Sequence, residues 1–312
     1  MKVRKSHRQG RPPVMGPNLS LRTRLQPWVF LSPALILMLL VFAYPLISTL
    51  VMAFQNQRLG RPDQVRFNQL ANFRNLFSDP DFPLIIRNSF VYVIAAVLVQ
   101  FLLGMTLAMA LKNNFKGRGI YQGVVFLPWA FSAFVVGVVF RWSFNGEYGV
   151  VNDLLKKLNL ISENIAWLGT PGLSLLVVIF AMIWIGVPFF AIMILAALQS
   201  IPADIYEAAA IDGCSRVRRF FQITLPFIKP TIIMTLLLRT IWIFNSFDLI
   251  VVITGGGPAS SSQTLPSYMY TKAFSGYDFG LASALGLILL LVLAIYAVCF
   301  LTVTQYNKAG DF

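Results

Sequence analysis

Six long apolar runs limit what this chain can fold into: Trp28–Phe54, Ser89–Leu111, Gln122–Phe140, Leu173–Leu198, Pro230–Thr254 and Leu281–Thr304. A helix of about 20 apolar residues spans the hydrocarbon core of a bilayer. Only 12% of the 312 residues are charged, whereas soluble domains carry roughly 25% charged residues. The sequence therefore predicts an all-α integral membrane protein with six transmembrane helices.

A basic arm, residues 1–27, precedes the first run. A cleaved secretory signal has a shorter apolar core and a cleavage site of small residues. The first run is longer and lacks that site, so we expect it to be a retained span. The chain then divides into the arm, a six-span domain at residues 28–304 and a short tail at residues 305–312.

Lys and Arg residues are unequally distributed between the two sides of the predicted spans. The arm, the tail and the segments 112–120 and 199–229 together carry 15 of them, and the segments on the other side carry nine. By the positive-inside rule, this distribution predicts that both termini are cytoplasmic. The net charge of +13 is spread over separate loops. We therefore expect contact with membrane lipid and no binding of nucleic acid, because nucleic-acid binding would require one continuous basic face.

Sequence motifs for ATP binding and metal binding are absent from the chain. Neither G-x-x-x-x-G-K-[ST] nor H-E-x-x-H occurs, and there is no cluster of Cys and His. We expect no catalytic residue, no cofactor and no metal site. Any energy that this protein uses must then come from a partner protein or from an ion gradient.

The polar segment between the fourth and fifth runs predicts a short helix. Ser200 is a suitable N-cap, and Pro202 suits the first turn. Glu207 is expected near the amino-terminal, partially positive end of this helix. Gly213 is expected to end the helix with a left-handed conformation.

A second short helix is predicted to begin after Ser215, which can act as its N-cap. Basic residues stand beside two phenylalanines in this helix, as in amphipathic segments at a membrane surface. Pro226 and Pro230 are expected to close the segment and to precede the fifth span.

One pattern in this segment is specific: Glu207-Ala208-Ala209, three residues, Gly213, nine residues, and then Ile223-x-Leu225-Pro226. It resembles the EAA loop of the membrane subunits of binding-protein-dependent ABC importers, which forms coupling helices that dock into a cleft of the ATPase subunit. The resemblance implies that residues 199–229 form an ATPase-coupling loop. Its contact residues would be Glu207, Ala208, Ala209, Asp212 and Gly213.

The stretch from Arg239 to Pro258 resembles the fifth span and following loop of the carbohydrate-type permeases of this family, which serve maltose, lactose, other oligosaccharides and glycerol phosphate. The pairs Leu127-Pro128 and Thr264-Leu265 continue the resemblance. It implies a subunit of the bacterial inner membrane that imports a sugar-like substrate. The partners would be a second permease subunit, two ATP-binding subunits and an extracytoplasmic solute-binding protein.

Candidate solute-contacting residues lie in three of the runs. Trp242, Asn245 and Asp248 are three residues apart, so on an ideal helix they form one slanting ridge. Ionisable residues inside spans usually face the bundle interior or a water-filled cavity. We expect this ridge to line a solute path together with Gln100 and Trp184. Packing or loop capping by Asp248 is the alternative.

Arg239 lies nine residues before Asp248, on the opposite side of an ideal helix. Its position near one end of the run predicts a side chain that snorkels to the membrane surface. The sequence Gly255-Gly256-Gly257-Pro258 predicts a turn that ends the helix. This turn is also a candidate contact for the solute-binding protein.

Two other classes of protein stay open at this point. An ion-gradient-driven secondary transporter of a polar solute would work without an ATPase. An integral membrane enzyme is the second, but the predicted spans contain no paired His or carboxylate cluster.

Overall fold

The computed structural model describes residues 21–60, 63 and 65–306, and these residues form helices joined by turns. The α-helices are α1 (Leu21–Met38), α2 (Tyr44–Ala53), α3 (Ala71–Phe77), α4 (Phe82–Lys112), α5 (Arg118–Phe126), α6 (Ala133–Ser143), α7 (Val150–Lys157), α8 (Leu173–Gln199), α9 (Ala203–Ile211), α10 (Arg216–Arg219), α11 (Leu225–Asn245), α12 (Asp248–Ile253), α13 (Leu265–Tyr270) and α14 (Phe279–Thr304). Short π-helical segments connect α1 to α2, α10 to α11, and α13 to the turn before α14.

The described residues separate into two compact units, with the boundary between Thr49 and Leu50. The predicted arm at residues 1–20 and residues 307–312 of the predicted tail lie outside the described residues, and α1 begins within the last part of the arm. Helix α1 continues through Leu39–Ala43 into α2, and the large apolar side chains from Trp28 to Phe42 are exposed. The stretch Trp28–Ala53 is apolar on all sides, which suits a hydrocarbon environment.

Five helices in the described residues are long and apolar enough to cross a membrane: Trp28–Ala53, Phe82–Lys112, Leu173–Gln199, Arg216–Ile253 and Phe279–Thr304. The count reaches six only if a bent pair, Arg118–Ala130 and Ala133–Ser143, forms one span. All-α membrane architecture is therefore confirmed.

The predicted third span, Gln122–Phe140, is wrong as a continuous helix because the chain bends by 92° within it. Pro128 lies in a 3₁₀ turn and has no N–H for a helical hydrogen bond, and Phe131 is extended. Ser132 then caps α6, since its Oγ accepts a hydrogen bond from the N–H of Val135 over 3.3 Å. Proline and a new N-cap thus stop one helix and start another.

The fifth helical region begins earlier than predicted. Ser215 caps α10 as expected, but α10 continues without a loop through Phe220–Thr224 into α11. Pro226 lies in the first turn of α11 and Pro230 lies inside it, so these prolines do not close a loop. The π-helical turn next to Pro226 accommodates the irregular hydrogen bonding.

Helices α4 and α8 form the centre of the bundle. They pack closely because Gly104 of α4 has no side chain. A Cβ at this position would collide with Phe190 and Ala191 of α8. One buried cluster includes Val178 of α8 and Ile250 of α12, and a second includes Ile194 of α8. These contacts position α11 and α12 beside the two central helices.

The segments on either side of α3 are attached by polar contacts to α13 and to the residues between α13 and α14. Arg58 forms an ion pair with Asp278 at 2.9 Å, and Lys272 lies 3.8 Å from Asp79. The hydroxyl of Tyr268 donates a hydrogen bond to Asp79. Burial raises the pKa of Asp79, but the hydrogen bonds and the charge of Lys272 outweigh it and hold this pKa below its ordinary value.

Candidate functional site

The predicted coupling segment, residues 199–229, contains the short helices α9 and α10, and α9 starts at a different residue from the one predicted. Ser200 ends α8, because its Oγ donates to the carbonyl of Ala197 over 2.8 Å. Pro202 takes the N-cap position of α9. The prediction of Ser200 as the N-cap of α9 is therefore wrong. Glu207 is the fifth of the nine residues of α9, so it lies in the middle of this helix and not near its amino-terminal end.

Gly213 ends α9 in the predicted left-handed conformation, with a φ of 71°. The N–H of Gly213 donates to the carbonyl of Ala210 over 3.1 Å, and that of Cys214 donates to the carbonyl of Ala209 over 2.9 Å. These two hydrogen bonds form a Schellman motif, which favours glycine at this position. The end of α9 is therefore defined by its own backbone.

One face of α9 is exposed. Glu207, Ala208 and Asp212 lie at the surface, and the side chain of Ile211 is 86% exposed. Ala209 is buried against the rest of the chain. The exposed face of α9 thus carries one apolar side chain between two carboxylates.

Arg239 does not snorkel, and this prediction is wrong. The residue is only 7% exposed, and its Nε donates to Oε1 of Gln100 over 2.8 Å. Its Nη2 lies 3.7 Å from Sδ of Met182. The backbone places Arg239 in the interior, where Gln100 accepts from its guanidinium.

Gln100 was expected to line a solute path, but the structure uses its amide inside the bundle. The side chain is fully buried, and its Nε2 donates to the carbonyl of Met182 over 2.7 Å. Gly186 makes room for this arrangement, because a Cβ there would collide with both Arg239 and Gln100. We call Gln100, Met182, Gly186 and Arg239 the polar junction.

A cavity of about 150 Å³ lies beside the polar junction. Arg239, Trp242, Trp129 and Ser246 contribute to its lining. The rings of Trp242 and Trp129 both pack on Phe189, with centroid distances of 5.1 and 5.9 Å. Two partly exposed indoles therefore stand at the edge of one cavity, and aromatic faces of this kind stack on sugar rings.

The other predicted path residues are not gathered around this cavity. Helix α11 ends at Asn245, and Asp248 starts α12 after the extended Ser246, so the three-residue ridge is not on one continuous helix. Asn245 and Asp248 are exposed, and Nδ2 of Asn245 donates to the carbonyl of Ile241 over 2.9 Å. The ideal-helix geometry assumed for the ridge is therefore wrong.

Trp184 lies in a separate apolar groove of about 570 Å³. Its ring stacks on Phe131 at a centroid distance of 6.2 Å, beside Phe140. The structure thus separates Trp184 from Trp242. Among the described residues, no group of three or more His, Cys, Asp or Glu side chains is placed to hold a metal ion.

Sequence reasoning missed Trp129, Phe189 and the interior position of Arg239. A signal for Arg239 was available, because an ionisable residue inside an apolar run usually faces the bundle interior. Trp129 and Trp242 both reach Phe189 only through the bend after Pro128 and the packing of α8, which no local pattern indicates.

Comparison with known proteins agrees with this architecture. A model of the binding-protein-dependent transport system inner membrane component family matches residues 100–307. The sulfoquinovosyl glycerol transport system permease protein SmoG of Agrobacterium fabrum is 35% identical over 271 residues, which cover 87% of each chain. The trehalose/maltose transport system permease protein MalF of Thermococcus litoralis is 32% identical over 283 residues, covering 90% of this chain and 94% of the relative.

A solved structure of a bacterial alginate ABC transporter, in complex with an alginate pentasaccharide-bound periplasmic protein, contains a chain of the same fold. The TM-score is 0.75 and the identity 25%, over 92% of this chain and 96% of that one. Because the family model matches two thirds of this chain, the chain belongs to the family of binding-protein-dependent transport system inner membrane components.

Proposed function

We propose that this chain is a permease subunit of an ATP-driven, binding-protein-dependent importer of a sugar or oligosaccharide. Two relatives above 30% identity carry names of sugar transport permeases, and they match nearly the whole chain. The observation that carries the coupling role is the exposed face of α9, which Gly213 ends in a fixed geometry.

The importer would contain a second, related permease, two ATP-binding subunits and a solute-binding protein. The described bundle leaves wide apolar surfaces exposed on α4 and α14, as expected for helices that meet lipid or a second permease. The alginate transporter supports a periplasmic binding protein as a partner. ATP hydrolysis belongs to the ATP-binding subunits, and this chain makes or breaks no covalent bond.

Coupling would act through α9. The exposed Ile211 offers an apolar anchor, and Glu207 and Asp212 offer charges for a basic rim around a cleft. Closure of the ATPase pair would displace α9, and α9 would move the helices of the bundle. This chain would then alternate between outward-facing and inward-facing states.

The solute path would pass the cavity beside the polar junction. Trp129 and Trp242 present indole faces, and Ser246 presents a hydroxyl next to the break between α11 and α12. Asn245 and Asp248 lie on the same interrupted segment and are exposed, but they do not line this cavity. The second permease would supply the other wall of the path.

The orientation we propose places both termini and α9 in the cytoplasm. The 15 to nine distribution of Lys and Arg supports it. In this orientation the loop pairs Arg58–Asp278 and Asp79–Lys272 lie on the outer face. Single cysteines at position 210 and at position 160 should then react with impermeant thiol reagents from opposite sides.

Reconstitution tests the proposed function. The chain is assembled in proteoliposomes with its neighbouring permease, ATPase and binding-protein gene products, and uptake of a panel of labelled sugars is measured. We expect uptake that requires enclosed ATP and the ATPase subunits. Uptake by this chain alone under a proton or sodium gradient would instead support a secondary transporter.

A further inference from the structure

Tyr206 lies immediately before Glu207 in α9, but its side chain belongs to the inner face of this helix. The residue is partly buried and packs against the cluster that contains Leu198 and Ile228. Its three polar or charged contacts reach α4 and the continuous helical region from α10 to α11.

The first contact leads to the fifth helical region. The hydroxyl of Tyr206 is 2.9 Å from Oγ1 of Thr224, and either oxygen can donate. Thr224 is buried and is the last residue of the π-helical turn that continues into α11. This hydrogen bond therefore links α9 to the start of α11.

The second contact leads to the central helix α4. Nζ of Lys112, the last residue of α4, lies 3.7 Å from the centroid of the Tyr206 ring. This is a short cation–π distance. Helix α4 is the principal packing partner of α8, so the contact joins α9 to the centre of the bundle.

The third contact comes from Arg219, the last residue of α10. Its Cζ lies 5.7 Å from the centroid of the same ring. Two cations therefore approach one aromatic ring, and its hydroxyl is bonded to a buried threonine. Such a side chain has little freedom to move independently of α4 and α11.

We infer that Tyr206 is a positioning residue that transmits displacement of α9 to α4 and α11. This inference rests on the proposed function, because it assigns a residue to the coupling step of that importer. Glu207 and Ile211 face outward on the same helix, whereas Tyr206 faces the bundle. Docking and transmission are thus separated onto two faces of α9.

The test uses the complete reconstituted importer and measures solute transported per ATP hydrolysed. Tyr206→Phe removes the hydroxyl and keeps the ring, Thr224→Val removes the other partner, and Tyr206→Leu removes the ring as well. For Tyr206→Phe and Thr224→Val we expect the ratio to fall by about two- to tenfold, the range for one lost hydrogen bond. The double variant Tyr206→Phe/Thr224→Val should show about the same fall in the ratio as either single variant, because both substitutions remove the same hydrogen bond. For Tyr206→Leu the ratio should fall further, with ATPase association retained.

Tyr121→Leu is the matched control, because Tyr121 is an exposed tyrosine of α5 with a ring contact to Phe115. It should leave the ratio unchanged. An unchanged ratio in Tyr206→Phe and in Thr224→Val would overturn the inference, and so would equal losses in the control. If the complex with Tyr206→Leu fails to assemble, the Tyr206→Phe and Thr224→Val variants still test the inference. Failure of the proposed function is distinct, because the wild-type complex would then show no ATP-dependent uptake.

Discussion

Nε of Arg239 donates a hydrogen bond to Oε1 of Gln100 over 2.8 Å, and the two residues are 139 positions apart in the sequence. Gln100 in turn donates to the carbonyl of Met182, so α4, α8 and α11 meet at one set of polar groups. Among the described residues, Arg239 has no carboxylate partner. The neutral amide of Gln100 therefore provides the main polar compensation for a buried cation.

The first prediction concerns this pair. Gln100→Leu leaves the guanidinium without its acceptor, and we expect it to destabilise the fold by about 1.5–3 kcal/mol, the value of a hydrogen bond to a charged group. Gln100→Leu combined with Arg239→Leu should be less destabilising than Gln100→Leu alone, because the apolar replacement leaves no buried charge. Thermal unfolding of the purified variants in detergent measures both effects. If the stability losses of Gln100→Leu and Arg239→Leu simply added in the double variant, the pairing of these two residues would be contradicted.

The second prediction concerns the space that Gly186 leaves free. Gly186→Ala places a Cβ against Arg239 and Gln100, and overpacking of this kind costs about 1–3 kcal/mol. Gly123→Ala is the matched control, because Gly123 is also helical and a Cβ there meets nothing within 4 Å. We expect a lower melting temperature only for Gly186→Ala. Equal melting temperatures would show that the junction rearranges freely.

Sequence reasoning predicted those features of the fold that depend on local chemistry. Apolar length predicted five of the six spans as helices long enough to cross a membrane. The left-handed Gly213 and the N-cap Ser215 follow from backbone sterics and capping. The bend after Pro128 and the continuous α10–α11 helix were missed. Pro128 lies where α5 ends, whereas Pro226 is accommodated in the first turn of α11. The π-helical turn next to Pro226 and the packing around it account for the difference.

The candidate site was harder to predict because its parts come from distant segments. The ridge argument assumed one regular helix from Trp242 to Asp248, and the extended Ser246 interrupts it. Arg239 was assigned to the surface because sequence position alone does not show that Gln100 stands opposite. The exposed face of α9 was predicted in part, since Glu207 and Asp212 were named but Ile211 was not.

The third prediction concerns docking through Ile211. Ile211→Asp should weaken association with the ATP-binding subunits by more than about 1 kcal/mol, as expected for an apolar anchor of an interface. Because the side chain is 86% exposed, the stability of the isolated chain should change by less than about 0.5 kcal/mol. Co-purification and titration of the ATPase subunits measure the effect. Leu160→Asp, an exposed apolar residue of another loop, should have no effect on association.

The fourth prediction concerns pH and Asp79. The pKa of this carboxyl is lowered in the folded chain, mainly by the Tyr268 hydroxyl, the N–H of Asp81 and Lys272, against the opposing effect of burial. Its ionised form therefore contributes stability above the ordinary pKa of 3.8, and this contribution is lost as the pH falls through the lowered pKa. Melting temperatures between pH 2.5 and 7 (roughly the range in which carboxyls titrate) should show this loss. Asp79→Asn should lower the melting temperature at pH 7 and reduce its dependence on acid pH, and an unchanged profile would refute the assignment.

The last prediction concerns the indole at the edge of the cavity. If Trp242 stacks on the solute, Trp242→Ala should lower the apparent affinity for solute by up to about tenfold, since an aromatic contact contributes roughly 0.5–1.5 kcal/mol beyond its buried area. Trp242→Phe should retain part of the affinity, because the ring still packs on Phe189. Basal ATP hydrolysis should stay unchanged in both variants. Trp184→Ala is the control, since Trp184 lines a different groove; equal losses of affinity in the Trp184 and Trp242 variants would assign Trp242 to packing and remove it from the solute path.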